Sequence, residues 1–82
     1  MRYTEDHRKV FSIIDSPDLV TIAMIEEKSQ FKGKKLEDIL EFLEREKVIE
    51  ATRPVGFGSN MVPCYYYVPT NAPADKLYEL RG

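Results

Sequence analysis

Apolar residues recur through the middle of the chain with a helical period. Leu36, Leu40 and Leu43 fall at i, i+4 and i+7, one face of a helix running from Lys34 to Lys47. Glu41 stands four residues before Arg45, the orientation that favours a surface ion pair. Nearer the N-terminus, Val10, Phe11, Ile13 and Ile14 repeat at helical spacing. Thr4 is placed to cap that segment, and Glu5 and Asp6 fall where the helix dipole favours acids. This pattern predicts a helix over residues 5–15. Between the two lies Leu19-Val20-Thr21-Ile22-Ala23-Met24-Ile25, an almost unbroken apolar run that fits a buried helix or a buried strand. Ser16-Pro17-Asp18 before it has the order of a helix start: a capping serine, proline at the first position, aspartate in the first turn. With Glu26-Glu27-Lys28 continuing the run, a helix is the expectation and a strand the alternative. Ser29 to Gly33 reads as a turn in which Phe31 plugs the core.

Beyond Lys47 the period changes. Val48 to Arg53 reads as a strand that Pro54 closes, Val55 to Asn60 as a loop, and Met61 to Val68 as a β-rich segment centred on Cys64-Tyr65-Tyr66-Tyr67-Val68. Two such runs joined by a glycine-containing connection predict a hairpin. Pro54, Pro63 and Pro69 suit strand ends or edges. The three tyrosines alternate across their strand, one set toward the helices and one outward; packing is the more economical use of them than base stacking. Thr70 opens a turn, and Ala74 to Leu80 reads as a short helix presenting Leu77, Tyr78 and Leu80. The expected fold class is α+β: a three-helix core followed by a β-hairpin, with a short C-terminal helix. Residues 1–69 would form the domain and 70–82 a C-terminal extension.

Helix, helix, turn, helix and hairpin in that order resemble a winged helix-turn-helix DNA-binding domain over about residues 5–69. The places that carry the resemblance are Phe31 in the turn, Leu36, Leu40 and Leu43 on the recognition helix, and Val48-Ile49 leading into the wing. The stretch Leu43-Glu44-Arg45-Glu46-Lys47-Val48-Ile49 is the nearest match to the superfamily pattern, without assignment to a subfamily. Three positions depart from it. Lys47 stands where glycine is frequent, Lys32-Gly33 where a small polar cap is usual, and Glu26 where alanine is common. The resemblance implies a transcriptional regulator whose recognition helix and wing contact double-stranded DNA.

Composition narrows the chemistry. The chain has 82 residues, enough for one small domain, with 43% hydrophobic and 32% charged residues, a globular and not a disordered balance. No apolar run approaches the length of a membrane span, and the N-terminus lacks the apolar core of a secretory signal. One cysteine, Cys64, excludes an intrachain disulfide framework, and with His7 alone beside it a Cys/His zinc site is excluded too. A reducing, cytoplasmic setting is the expectation. Neither a metal nor a cofactor is expected. No serine or cysteine has a credible local base and Cys64 has no basic neighbour, so an enzyme is not expected. Glu37, Glu41 and Glu44 form a row of acids on one helix, read as a solvated face rather than a metal site.

The formal net charge of −2 rules out a uniformly basic nucleic-acid binder, yet the charge is uneven. Lys28, Lys32, Lys34 and Lys35 bring +4 to residues 28–35 with no acid among them, whereas residues 36–50 carry six acids against Arg45 and Lys47. A lysine cluster at a helix N-terminus works against the dipole, which suggests a use: exposed amides and ammonium groups together make a phosphate site. The alternative is a solvated basic turn in which Lys34 pairs with Glu37 or Asp38, and Lys35 with Asp38. Lys32, Lys34 and Lys35 are the expected phosphate anchors. Arg53, Ser59 and Asn60 in the wing would reach the flanking backbone, and Glu37 and Asp38 would restrict the bases tolerated. Phe57, between two glycines, clusters with them at the wing; the alternative is an ordinary hairpin in which Phe57 folds back onto the sheet. A homodimer reading half-sites about one helical turn apart follows from the modest charge. Ile39 and Phe42 lie off the leucine line, so either other elements of the domain cover them or they contact a protein. With Leu77 and Leu80 they are candidate interaction residues. The competing reading is therefore a winged-helix protein-interaction module that does not touch nucleic acid.

Overall fold

The computed structural model describes residues 3–52 and 65–81. In chain order these form α1 (Glu5–Ile14), β1 (Val20–Thr21), α2 (Ile22–Ser29), α3 (Gly33–Arg45), β2 (Glu50–Thr52), β3 (Tyr65–Tyr67) and α4 (Ala74–Arg81). The result is a small α+β domain of four helices and a three-stranded antiparallel sheet in the order β1-β3-β2.

The start of α1 is closed by a capping box. The Thr4 hydroxyl accepts from the His7 amide at 3.3 Å, and His7 Nδ1 accepts from the Thr4 amide at 3.2 Å. Histidine fills the place that glutamate or glutamine usually takes. Val10, Phe11 and Ile14 turn inward and are buried.

The helix start expected at Ser16 is not where α2 begins. The Ser16 hydroxyl instead accepts from the Asp18 amide at 3.2 Å, a local turn. The chain bends through residues 15–18 and turns strand-like only where Val20 and Thr21 pair with Tyr66 and Tyr65. Thr21 then caps α2, its hydroxyl accepting from the Met24 amide at 3.3 Å. So the apolar run divides. Its first part completes a sheet whose partner lies about 45 positions away, and its second part is helical, with Ile25 fully buried.

Gln30 ends α2 in the left-handed region, φ 68°. Buried Ser29 fixes the turn after it. Its hydroxyl donates to the Ile25 carbonyl at 2.6 Å and accepts from the Phe31 amide at 3.1 Å. Phe31 is half-buried against the core, as its isolation in a polar turn predicts. Leu36, Leu40 and Leu43 are all buried on α3, together with Ile39. That helix ends in a paired hydrogen-bond motif: the Lys47 amide donates to the Glu44 carbonyl and the Val48 amide to the Leu43 carbonyl. Lys47 takes φ 64° there, and Val48 and Leu43 are fully buried.

β3 is the central strand. Tyr66 lies opposite Val20 of β1 and Ala51 of β2, so both expected β runs pair antiparallel. Tyr66 is buried while Tyr65 and Tyr67 are half-buried, the alternation expected of the tyrosines. α4 packs on α1 and puts Leu80 into the common core. Its last residue forks onto the end of α1, with Arg81 Nε and Nη2 at 2.8 and 2.9 Å from the Asp15 carboxylate oxygens. Asp15 is held below the usual carboxylate range chiefly by that hydrogen bond. Among the described residues, no helix is long and apolar enough to cross a membrane.

Candidate nucleic-acid interface

Of the three helices whose start the structure defines by a cap, α3 alone begins without a side-chain cap. Its N-cap is Lys32, in extended geometry with no capping hydrogen bond, and its first turn holds no acid. Gly33 follows with φ 61° and open space where a Cβ would stand. The sequence puts two lysines next, so three lysines flank a helix start that has no side-chain cap. Lys32, Lys34 and Lys35 are all exposed.

Their side chains run in different directions. Lys34 Nζ lies 3.4 Å from Asp38, one turn along α3, one of the pairings its spacing allows. Lys35 does not pair with Asp38. It turns across to α1, where its Nζ lies 3.4 Å from the Asp6 carboxylate and 4.4 Å from the centre of the Phe31 ring. Adjacent helix positions are about 100° apart, so the two stems leave on different sides. Lys32 lines a shallow recess with Ala23, Glu26, Glu27 and Gln30. The backbone nonetheless gathers all three at one end of the domain. The Lys34 and Lys35 pairs are long and exposed, and such surface pairs are worth about 0–1 kcal/mol, a small barrier to turning either side chain toward an anion.

The acids remain exposed on the body of α3. Glu37 has no ion-pair partner among the described residues, Asp38 holds Lys34, and Glu41 accepts from Arg45 at 2.6 Å. Glu37, Glu41 and Glu44 rim a recess of about 300 Å³ floored by Leu40 and Tyr66 and walled by Ile22. The outer side of α3 is thus negative beyond its first turn. No group of three residues able to hold a metal ion occurs among the described residues.

Ile39 and Leu80 are inside the domain, 7% and 4% exposed, and so are not displayed to a partner as a surface reading of them requires. Phe42 is half-buried: its ring stacks on His7 at 4.5 Å and meets Tyr3 edge-on at 5.9 Å. His7 of α1 and Tyr3 before it thus cover Phe42. Leu77 is partly buried against the core. Among the described residues, the large apolar side chains that do reach solvent are Leu19, Ile22, Met24 and Tyr78. Arg53, Ser59 and Asn60 lie outside the described residues, as do Phe57 and Cys64.

One group near the site carried no signal in the sequence. Lys9 of α1 places its Nζ 5.2 Å from the centre of the Phe31 ring, the ring that Lys35 also approaches. Lys9 and Lys35 are 26 positions apart in sequence, and each reaches the Phe31 ring in the packed domain. Compared with protein-family models, with curated proteins and with solved structures, the chain matches none.

Proposed function

We propose that this protein is a small winged-helix DNA-binding regulator that grips the phosphate backbone at the start of α3. The reading rests on one observation above all. The uncapped N-terminus of α3 is surrounded by exposed Lys32, Lys34 and Lys35, without a carboxylate in its first turn. Support for the winged-helix reading comes from the order of elements, the β1-β3-β2 sheet and the left-handed residue just before β2. On this reading the connection between β2 and β3 is the wing, and its Arg53, Ser59 and Asn60 reach the flanking backbone. Glu37 and Asp38 would admit only bases that offer a donor, such as cytosine N4. No catalytic step and no cofactor enter the account.

Reversing Lys34 and Lys35 together to glutamate tests it. Duplex affinity should fall, and the plot of log affinity against log salt should flatten, because fewer counterions are released on binding. An unchanged slope rejects the site.

A second reading has its own observation. The acidic outer side of α3, with exposed Ile22 beside it, suits a protein partner better than a polyanion. Size-exclusion chromatography with and without duplex DNA separates the two. A complex or self-association that ignores DNA and is lost in Ile22→Lys favours the interaction module. Phe42→Lys is the wrong variant for this purpose, since Phe42 is packed against His7 and Tyr3.

A further inference from the structure

We propose that the outer face of α4 is a contact between two copies of this chain, packed as antiparallel helices about a two-fold axis at Tyr78. The proposal does not depend on what α3 binds. α4 buries Leu80 and leaves Ala74, Asp75, Tyr78 and Arg81 exposed. Tyr78 is 80% exposed, whereas Tyr3 and Tyr66 are buried and Tyr65 and Tyr67 half-buried. Ala74, Leu77, Tyr78 and Arg81 line an open recess of about 390 Å³, mainly apolar. The face thus carries both a projecting ring and a hollow to receive one. When the Tyr78 ring of one copy enters the recess of the other, two-fold symmetry repeats the contact and closes the pair.

The charges select a second copy as the occupant and set its direction. Asp75 stands three residues before Tyr78 and Arg81 three after it, the acid in the first turn and the base in the last. In an antiparallel pair centred on Tyr78, each Asp75 is level with the second copy's Arg81, about 4.5 Å along the helix from the axis. A parallel pair would set Asp75 against Asp75 and Arg81 against Arg81. Asp75 has no ion-pair partner among the described residues. Arg81 uses Nε and Nη2 on Asp15, and Nη1 carries two further donors for a second carboxylate. Each Arg81 then ties the end of its own α1 to the start of the other copy's α4. Such exposed pairs add little affinity; they fix register and direction.

Sedimentation equilibrium of the full chain, without nucleic acid, tests the contact. A helix of 8 residues per copy makes an interface below the standard size, so the mass should rise from one chain toward two between about 10 µM and 1 mM. Tyr78→Glu should stay a single chain over that range. Asp75→Lys and Arg81→Glu each bring like charges together twice, and each should weaken the pair about tenfold. Mixed in equal amounts, these two variants should pair about as tightly as wild type. The new lysine of one then meets the new glutamate of the other, and the unchanged Asp75 and Arg81 meet at the opposite end.

Tyr78 and Asp75 are exposed, so their variants keep the fold. Arg81→Glu also loses the fork onto Asp15, and circular dichroism checks its helices before mixing; if it does not fold, Tyr78→Glu and Asp75→Lys decide alone. Wild type of one-chain mass throughout overturns the proposal and leaves the face to a different partner. A dimer that survives Tyr78→Glu, or a mixture that pairs no better than its two components, overturns it as well.

Discussion

Replacing Lys47 with glycine is expected to make this domain more stable. Lys47 stands just past the end of α3 with φ 64°, where its amide and that of Val48 cap the last carbonyls. A side chain in the left-handed region costs roughly 1–2 kcal/mol that glycine does not pay. Glycine's greater freedom in the unfolded chain returns about 0.5–1 kcal/mol of that. Removing a cation from beside the helix C-terminus returns about 0.3 kcal/mol more. The Lys47 side chain is exposed, so no core packing is lost. The balance is a gain of about 0.5 kcal/mol, or about 2–4 °C in the midpoint of thermal unfolding for a domain of this size. Circular dichroism at 222 nm on heating reads it directly. Lys47→Val serves as the opposite control, since a β-branched residue tolerates this backbone least and should cost about 1 kcal/mol or more. If glycine is no better than lysine, or valine no worse, Lys47 does not occupy the left-handed cap and the end of α3 is misread.

Histidine in the capping box of α1 predicts a pH dependence. Burial holds the His7 imidazole below its ordinary value of 6.5, with Asp6 opposing, and the cap needs Nδ1 unprotonated to accept from Thr4. The folded state then binds fewer protons than the unfolded one, so stability is complete above pH 6.5 and declines as pH falls below it. Urea midpoints between about pH 5 and 7 should show that decline in wild type and a flatter profile in His7→Gln, which keeps a capping acceptor; identical profiles contradict it. Ser29→Ala should cost about 1–2 kcal/mol, because it strips the Phe31 amide of its acceptor in a buried turn. A loss under a few tenths in denaturant unfolding would show that the hydroxyl does not fix the turn.

Much of the fold could be read from the chain because three signals agree locally. α3 carries its leucines at a clean helical spacing, α1 carries its cap and its first-turn acids, and the tyrosine strand alternates. What could not be read depends on distant partners. Val20 and Thr21 are strand residues only because Tyr65 and Tyr66 lie beside them, and Ser16-Pro17-Asp18 imitates a helix start that the sheet overrides. Ile39 and Phe42 lie off the leucine line, where the chain alone leaves open whether the domain or a partner covers them; Ile39 joins the core, and Tyr3 and His7 pack on Phe42. At the candidate site, the basic turn was legible as a run of charge, whereas the route of each lysine was not. Spacing offers Lys35 the neighbouring Asp38, but the packed domain offers it Asp6 and the Phe31 ring. Lys9 reaches the Phe31 ring through packing as well.

The most direct measurement is the affinity of wild-type protein for a labelled duplex, by fluorescence anisotropy, at about 50 and 200 mM salt. Lys32, Lys34 and Lys35 engage about three phosphates on this account. The slope of log affinity against log salt should then be roughly −2.7, a loss of about 40-fold between the two conditions. Binding that is absent at the lower salt, or equal at both, contradicts a phosphate grip at the start of α3.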